Sequence, residues 1–145
     1  MKHQVTVPPM NFNRLSWEDF DTAVNHISSL FYGMKQPEAI YGEPRGGTCL
    51  AVALSHRMGI PLVTSLLGVN NVLWVDDIME KGNALRKAKA AMEGRHANYV
   101  VWVVKEPTCD CLYAEVISGD DWLVFPWESI EAATKDAEEY HARSE

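Results

Sequence analysis

The chain has 145 residues, of which 47% are hydrophobic and 23% are charged, and its formal net charge is −7. This composition predicts one globular domain, and the acidic balance argues against a general nucleic-acid binder or membrane-surface binder. Three cysteines, an N-terminus without a secretion signal and the lack of a long apolar run favour a cytoplasmic protein with reduced thiols.

The N-terminal segment predicts an extended arm followed by a capped helix. Residues 1–13 contain adjacent prolines and show little periodicity. Ser16 stands three residues before Asp19, a spacing at which two side chains can cap the first turn of a helix. Apolar side chains then recur at helical spacing and are expected to face a core: Trp17, Phe20, Val24, Ile27 and Phe31.

The next segment predicts a strand, a glycine-rich turn and a second helix. Residues 39–41 are apolar and run into the turn of residues 42–47, which has the sequence Gly-Glu-Pro-Arg-Gly-Gly. Residues 48–58 are typical of a helix that ends at the following glycine and proline, and residues 62–63 begin another strand. The turn would present free backbone N–H groups beside one arginine.

The most informative segment is a strand that runs into an acidic turn. Residues 72–75 are β-branched and aromatic, which predicts a buried strand ending at Asp76 and Asp77. Glu80 follows three residues later, and Gly82 stands where a new helix would begin. Carboxylates accept hydrogen bonds from ribose hydroxyls, and the first N–H groups of a helix bind phosphate. The pattern therefore favours a sugar-phosphate site.

The remainder of the chain continues the alternation of helices and strands. Residues 85–92 predict a helix and residues 99–104 a buried strand. Residues 113–116 and 122–125 are predicted to form a final pair of strands across a turn, and residues 129–142 a polar peripheral helix. We therefore expect an α/β fold with a mostly parallel, twisted sheet flanked by helices.

Two unusual turns each follow a strand, at residues 42–47 and 76–84. Ligands of open parallel sheets bind beyond the carboxyl ends of the strands, so both turns should lie at the same edge. One turn carries Arg45 and the other carries acids, a combination that suits a phosphorylated, Mg²⁺-bound sugar. Each turn alone also has an ordinary explanation, because Arg-Gly-Gly occurs by chance and paired aspartates can cap a helix.

Four motifs together resemble those of type I phosphoribosyltransferases, and most closely those of xanthine-guanine phosphoribosyltransferase. Residues 72–84 follow the family signature of an apolar strand, two acids, two variable residues and a third acid. Arg45-Gly46-Gly47 is similar to the pyrophosphate loop, and Lys105 closes a strand as the purine-binding lysine of the family does. Residues 121–128 are similar to the C-terminal hood. The resemblance covers roughly residues 12–130.

The resemblance implies a single phosphoribosyltransferase-like domain over residues 1–145, with a core of about 12–110 and a small C-terminal hood and helix over 111–145. It implies transfer of ribose 5-phosphate from phosphoribosyl pyrophosphate to a 6-oxopurine base, as in purine salvage, with release of pyrophosphate. It also implies Mg²⁺, held largely through the substrate, and assembly into a homodimer or homotetramer. No nucleic-acid or membrane partner is expected.

The resemblance also implies a role for each motif residue. Glu80 would lie near purine N7 as the candidate general base. Asp76 and Asp77 would bind the ribose hydroxyls, directly or through Mg²⁺. The remaining roles are 5′-phosphate binding by Lys81, Gly82, Asn83 and Ala84, pyrophosphate binding by Arg45, Gly46 and Gly47, donation to the purine 6-oxo group by Lys105, and stacking on the base by Trp127.

Other interpretations of the same residues stay open. Glu80 is also explained as a helix N-terminal acid, Lys105 as a solvated strand end and Trp127 as core packing. Lys81 and Ala84 stand where the family carries threonines, and residues 64–71 are too short for the family's mobile lid. These departures motivate the alternative, a catalytically weak or inactive phosphoribosyltransferase-like nucleotide-binding or regulatory protein. The basic residues Arg86, Lys87 and Lys89 are interpreted as a solvated helix face.

Overall fold

The computed structural model describes residues 11–144. Most of the predicted arm of residues 1–13 lies outside them, and its last residues enter the first strand. In the described part of the chain, no helix is long and apolar enough to cross a bilayer. The elements are, in order, β1 (Phe12–Arg14), α1 (Trp17–Leu30), β2 (Ala39–Gly42), α2 (Gly46–Met58), β3 (Leu62–Val63), β4 (Asn71–Met79), α3 (Asn83–Ala91), β5 (His96–Val104), β6 (Leu112–Val116), β7 (Trp122–Val124) and α4 (Ile130–Ser144).

The described residues form two compact units. Residues 21–118 make the larger unit, and the described residues up to Phe20 together with those from Gly119 onward make the smaller one. In the smaller unit, β1 pairs in parallel with β7. The division of one domain into a core of about 12–110 and a hood of 111–145 stays a prediction.

A five-stranded parallel sheet lies at the centre of the larger unit. The strand order is β3-β2-β4-β5-β6, and each neighbouring pair runs in parallel. The prediction of an α/β fold with a mostly parallel sheet is therefore confirmed. Residues 72–75 and 100–104 in the two central strands are almost fully buried. Such continuous apolar runs are typical of parallel strands that are covered on both faces.

The central strand β4 is longer than its sequence predicts. It continues through Asp76 and Asp77 to Met79, and it remains in register with β5 where Ile78 pairs with Val103. The prediction that the strand ends at the two aspartates was wrong, because carboxylates at a strand end do not interrupt the backbone ladder. The two side chains leave the strand on opposite faces of the sheet, but their carboxyl groups interact at the strand end.

The last two strands do not pair with each other, so the prediction of a terminal strand pair was wrong. β6 joins the large sheet beside β5, whereas β7 pairs with β1 in the smaller unit. The first residue of β6, Leu112, pairs with Val100, in the middle of β5. Residues 105–111 therefore return along only part of β5, and this connection is shorter than the dozen or so residues that a parallel crossover usually needs.

The predicted cap of α1 is confirmed. The Asp19 N–H donates to Ser16 Oγ at 3.0 Å, and the Ser16 N–H donates to Asp19 Oδ2 at 2.8 Å. These two bonds satisfy N–H groups that have no acceptor within the helix. One expected core residue differs, since Trp17 is 55% exposed, whereas the other four apolar residues of the series are buried.

Candidate active site

The acid pair lies near the carboxyl end of β4. The Asp77 N–H donates to Asp76 Oδ1 and the Ile78 N–H donates to Asp77 Oδ1, both at 2.8 Å. By strand alternation, Asp76 shares the face of Trp74, and Asp77 shares the opposite face with Val75. Each carboxylate is thus fixed by its own local backbone and is only partly exposed.

The glycine-rich turn lies directly against this acid pair. A Cβ placed on Gly46 would overlap the carboxylate of Asp77, and one placed on Gly47 would lie 2.5 Å from the Val75 carbonyl oxygen and 2.9 Å from Asp76 Cα. Any side chain at these positions would therefore collide with β4. We call the approach of Gly46 and Gly47 to Asp76 and Asp77 the diacid contact. The prediction that the two turns share one edge of the sheet is confirmed.

The diacid contact concentrates negative charge in a partly buried place. Burial, and next the charge of Asp77, raise the pKa of Asp76 to about 9, and Glu43 adds to the shift. Burial likewise raises the pKa of Asp77. Glu43 itself accepts a hydrogen bond from Trp74 Nε1 at 3.3 Å. A cation or a set of hydroxyl donors would therefore stabilise the ionised pair.

The acid pair can contribute ligands to Mg²⁺ but cannot complete its coordination. Among residues 11–144, no cluster of three or more His, Cys, Asp or Glu side chains is arranged to hold a metal ion. Carboxylate oxygens are the donors that Mg²⁺ prefers, and this ion commonly keeps water and substrate oxygens in its coordination sphere. Asp76 and Asp77 therefore fit an ion that is held mainly by a phosphorylated substrate.

A cleft of about 380 Å³ opens where β4 and β5 end. It brings together Glu80, Lys81 and Gly82 from the turn after β4 and Lys105 from the end of β5. We call it the basic cleft, and its lining consists of Met79, Glu80, Lys81, Gly82, Leu85, Arg86, Lys89, Lys105, Glu106, Pro107, Thr108 and Asp110.

The helix α3 begins at the floor of this site. Gly82 precedes it with φ of 76°, a left-handed conformation that favours glycine. Asn83 and Ala84 are the first residues of the helix, so their N–H groups have no acceptor within it. At the other turn, Arg45 precedes α2 and is exposed, and the Pro44–Arg45 peptide bond is cis.

Two basic residues of the cleft were missed by the sequence interpretation. Arg86 and Lys89, which were expected on a solvated helix face, line the cleft one helical turn apart. Lys89 Nζ donates to the Asp110 carbonyl oxygen at 2.7 Å, and Arg86 Nη2 donates to Asn83 Oδ1. Their spacing from Gly82, at four and seven residues, was the signal that they share one face with the turn.

The predicted base-stacking residue, Trp127, lies in the smaller unit. Its ring stacks on Phe125 with centroids 5.3 Å apart, and the ring of Phe20 meets it edge-on at 6.0 Å. Trp17 adds a tilted contact at 6.4 Å. These contacts place Trp127 in an aromatic cluster, and its role towards a purine stays a prediction.

Comparison with solved structures identifies the fold. A purine phosphoribosyltransferase from Pyrococcus horikoshii is 25% identical, with a TM-score of 0.65 over 83% of this chain and 97% of that chain. The xanthine-guanine-hypoxanthine phosphoribosyltransferase of Helicobacter pylori is 18% identical, with a TM-score of 0.62 over 88% and 99%. A hypothetical protein from Neisseria gonorrhoeae with bound ppGpp is 13% identical, with a TM-score of 0.68 over 90% and 98%.

The protein therefore has the type I phosphoribosyltransferase fold, a fold of pentosyl-transferring enzymes. This is the fold that the sequence motifs predict. Models of known protein families and the set of curated proteins give no match to this sequence.

Proposed function

We propose that this protein is a purine phosphoribosyltransferase, which transfers ribose 5-phosphate from phosphoribosyl pyrophosphate to a 6-oxopurine base. The observation that carries the proposal is the diacid contact, in which Gly46 and Gly47 have no space for a side chain against Asp76 and Asp77. The glycine-rich turn and the two carboxylates are thereby held at one edge of the sheet, where they would bind pyrophosphate and ribose hydroxyls. The basic cleft lies at the same edge of the sheet, where it would bind the phosphate and the base.

The proposed roles follow the chemistry of each group. Asp76 and Asp77 accept hydrogen bonds from the ribose hydroxyls. Arg45 and the N–H group of Gly46 hold the pyrophosphate, whereas the Gly47 N–H already donates to the Glu43 carbonyl oxygen at 2.9 Å. Lys105 donates to the purine 6-oxo group. Stacking of the base on Trp127, whose ring packs against Phe125 and Phe20 in the smaller unit, stays a prediction. The N–H groups of Gly82, Asn83 and Ala84 bind the 5′-phosphate, with Lys81 adding positive charge.

In the proposed reaction, the bond from ribose C1′ to the pyrophosphate oxygen breaks, and pyrophosphate leaves with the electron pair. A bond forms from C1′ to a ring nitrogen of the purine, and the purine proton passes to Glu80. Mg²⁺ would neutralise charge on the pyrophosphate. The protein itself contributes positioning and electrostatic stabilisation, because the transition state is cationic at the ribose.

A nucleotide-binding or regulatory protein without turnover is the second candidate. The connection between β3 and β4 is only residues 64–70, which contain no Lys or Arg and leave no long lid to exclude water. The turn of residues 80–84 also lacks hydroxyl side chains. The likeness to a protein with bound ppGpp is compatible with this alternative.

The two candidates are separated by an assay for products. The protein is incubated with Mg²⁺, phosphoribosyl pyrophosphate and one base at a time, namely guanine, xanthine, hypoxanthine, adenine or orotate. Equal amounts of pyrophosphate and nucleotide with a 6-oxopurine support the transferase. Ligand binding without product, for every base, would overturn it in favour of the binding protein. The Mg²⁺ requirement, the homo-oligomeric state and the cytoplasmic location remain predictions.

A further inference from the structure

The basic cleft collects cations in a protein that is acidic overall. Lys81, Arg86, Lys89 and Lys105 line it beside the acids Glu80, Glu106 and Asp110, whereas the whole chain has a formal net charge of −7. A concave site with an excess of one charge attracts ligands of the opposite charge. The cleft therefore suits an anion.

The side chain of Arg86 lies close to the backbone of the turn. Its Nη1 atom is 3.1 Å from where a Cβ on Gly82 would lie, and its Nη2 atom is bonded to Asn83 Oδ1. The guanidinium group is thus held over the turn by the hydrogen bond of Nη2, and Nη1 lies beside Gly82. A planar guanidinium presents donors in a fixed arrangement that matches phosphate oxygens.

The local sequence gives the turn few other side-chain donors for a phosphate. From Glu80 to Leu85 there is no Ser or Thr, and Ala84 contributes only a methyl group at the second position of α3. The first turn of α3 contains no acid to balance the positive helix N-terminus and Arg86, and Glu80 in the turn before it is followed by Lys81. An anionic ligand over Gly82 would supply that balance.

We propose that Arg86 is a direct ligand of the 5′-phosphate and replaces the hydroxyl donors that the turn lacks. The inference rests on the proposed function, since it assigns the phosphate to the same turn. Each charge-assisted hydrogen bond from Arg86 should strengthen phosphate binding roughly 10- to 100-fold. It should have no effect on ligands without a phosphate.

The test compares the dissociation constants of guanosine 5′-monophosphate and guanosine by calorimetry in the full-length protein. Arg86→Gln should weaken the nucleotide roughly 10- to 100-fold and leave guanosine unchanged. Arg86→Lys should recover part of the loss, because it restores the charge but not the planar fork. Lys87→Gln, on the same helix outside the cleft lining, is the matched control and should bind both ligands as the unaltered protein does.

A second variant distinguishes a phosphate ligand from a merely structural residue. Adding Ala84→Thr to Arg86→Gln supplies a hydroxyl in the first turn of α3 and should restore nucleotide affinity at least fivefold. Unchanged nucleotide binding in Arg86→Gln, or equal weakening of nucleotide and guanosine, would overturn the role of Arg86 and leave the proposed function standing. If the unaltered protein bound neither the nucleotide nor phosphoribosyl pyrophosphate, the proposed function would fall as well.

Discussion

The diacid contact and the basic cleft share the carboxyl edge of one sheet, but they are built in opposite ways. In the diacid contact, a methyl group on Gly47 would meet the backbone of β4, and one on Gly46 would displace the Asp77 carboxylate. The basic cleft is an open space of about 380 Å³ between the ends of β4 and β5. The first region is fixed by sterics and is acidic, whereas the second is open and rich in cations.

This difference indicates how one ligand could be divided between the two regions. A ribose with neutral hydroxyls suits paired acids in a rigid contact, because hydrogen bonds to carboxylates need accurate geometry. A phosphate suits a cationic cleft, where charge acts over longer distances. Substitutions in the first region should therefore change stability and geometry together, and those in the second should change affinity or turnover alone.

The largest expected effect is on turnover and comes from Glu80→Gln in the basic cleft. Loss of a general base reduces kcat by about 100-fold or more, while nucleotide affinity should change little. Steady-state kinetics with phosphoribosyl pyrophosphate and the accepted purine measure it. Glu93→Gln, an exposed change beyond the end of α3, serves as the control. An unaltered kcat in Glu80→Gln would show that Glu80 is only a helix N-terminal acid.

The next effect is on the free energy of unfolding, and it should differ between the two glycines of the diacid contact. Gly47→Ala presses on the backbone of β4, which cannot move aside, and should lower the free energy of unfolding by about 3 kcal/mol. Gly46→Ala meets only the Asp77 side chain, which can rotate, and should cost about 1 kcal/mol while displacing that carboxylate. Urea unfolding measures both values, and equal losses would contradict the described contact.

Asp76→Asn should stabilise the free protein at neutral pH. A carboxyl whose pKa is raised from 3.8 to about 9 on folding makes the folded state hold its proton more tightly, so stability falls as pH rises between those values. Removing the charge should add about 1–3 kcal/mol near pH 8 and flatten the pH dependence. Urea unfolding at pH 5 and pH 8 tests this, with Asp120→Asn as an exposed control. A smaller gain at pH 8 than at pH 5 would contradict it.

The smallest effect is expected from Lys89→Gln. This change removes the 2.7 Å hydrogen bond to the Asp110 carbonyl oxygen, which joins α3 to the loop after Lys105. Nucleotide affinity should fall only about two- to threefold, because the change loosens the loop but removes no direct contact with the nucleotide. A tenfold loss would mean instead that Lys89 contacts the ligand. Lys135→Gln in α4 is the control.

Much of the fold could be predicted because hydrophobic patterns and turns are local signals. The buried runs in β4 and β5, the cap at Ser16 and the turn at Gly82 are each encoded by a few adjacent residues. The partners of β6 and β7 could not be predicted, because strand pairing depends on contacts distant in sequence. The length of β4 was underestimated for the same reason, since its last residues are held by pairing with β5.

The candidate site shows the same division. The approach of Gly46 to Asp77 follows from the rule that turns after parallel strands meet at one edge. The positions of Arg86 and Lys89 could not be predicted from the sequence, because charged residues on a helix are usually solvated. Their face of the helix lines a cleft only because the end of β5 lies opposite it. The short loop of residues 105–111 is what creates the cleft.

A crystal structure with bound guanosine 5′-monophosphate tests the division of the ligand most directly. The account predicts ribose hydroxyls at about 2.6–3.2 Å from the carboxylates of Asp76 and Asp77, and phosphate oxygens at similar distances from the N–H groups of Asn83 and Ala84 and from Arg86 Nη1. A nucleotide whose phosphate lay outside the basic cleft, or whose ribose left the two aspartates without contact, would contradict it.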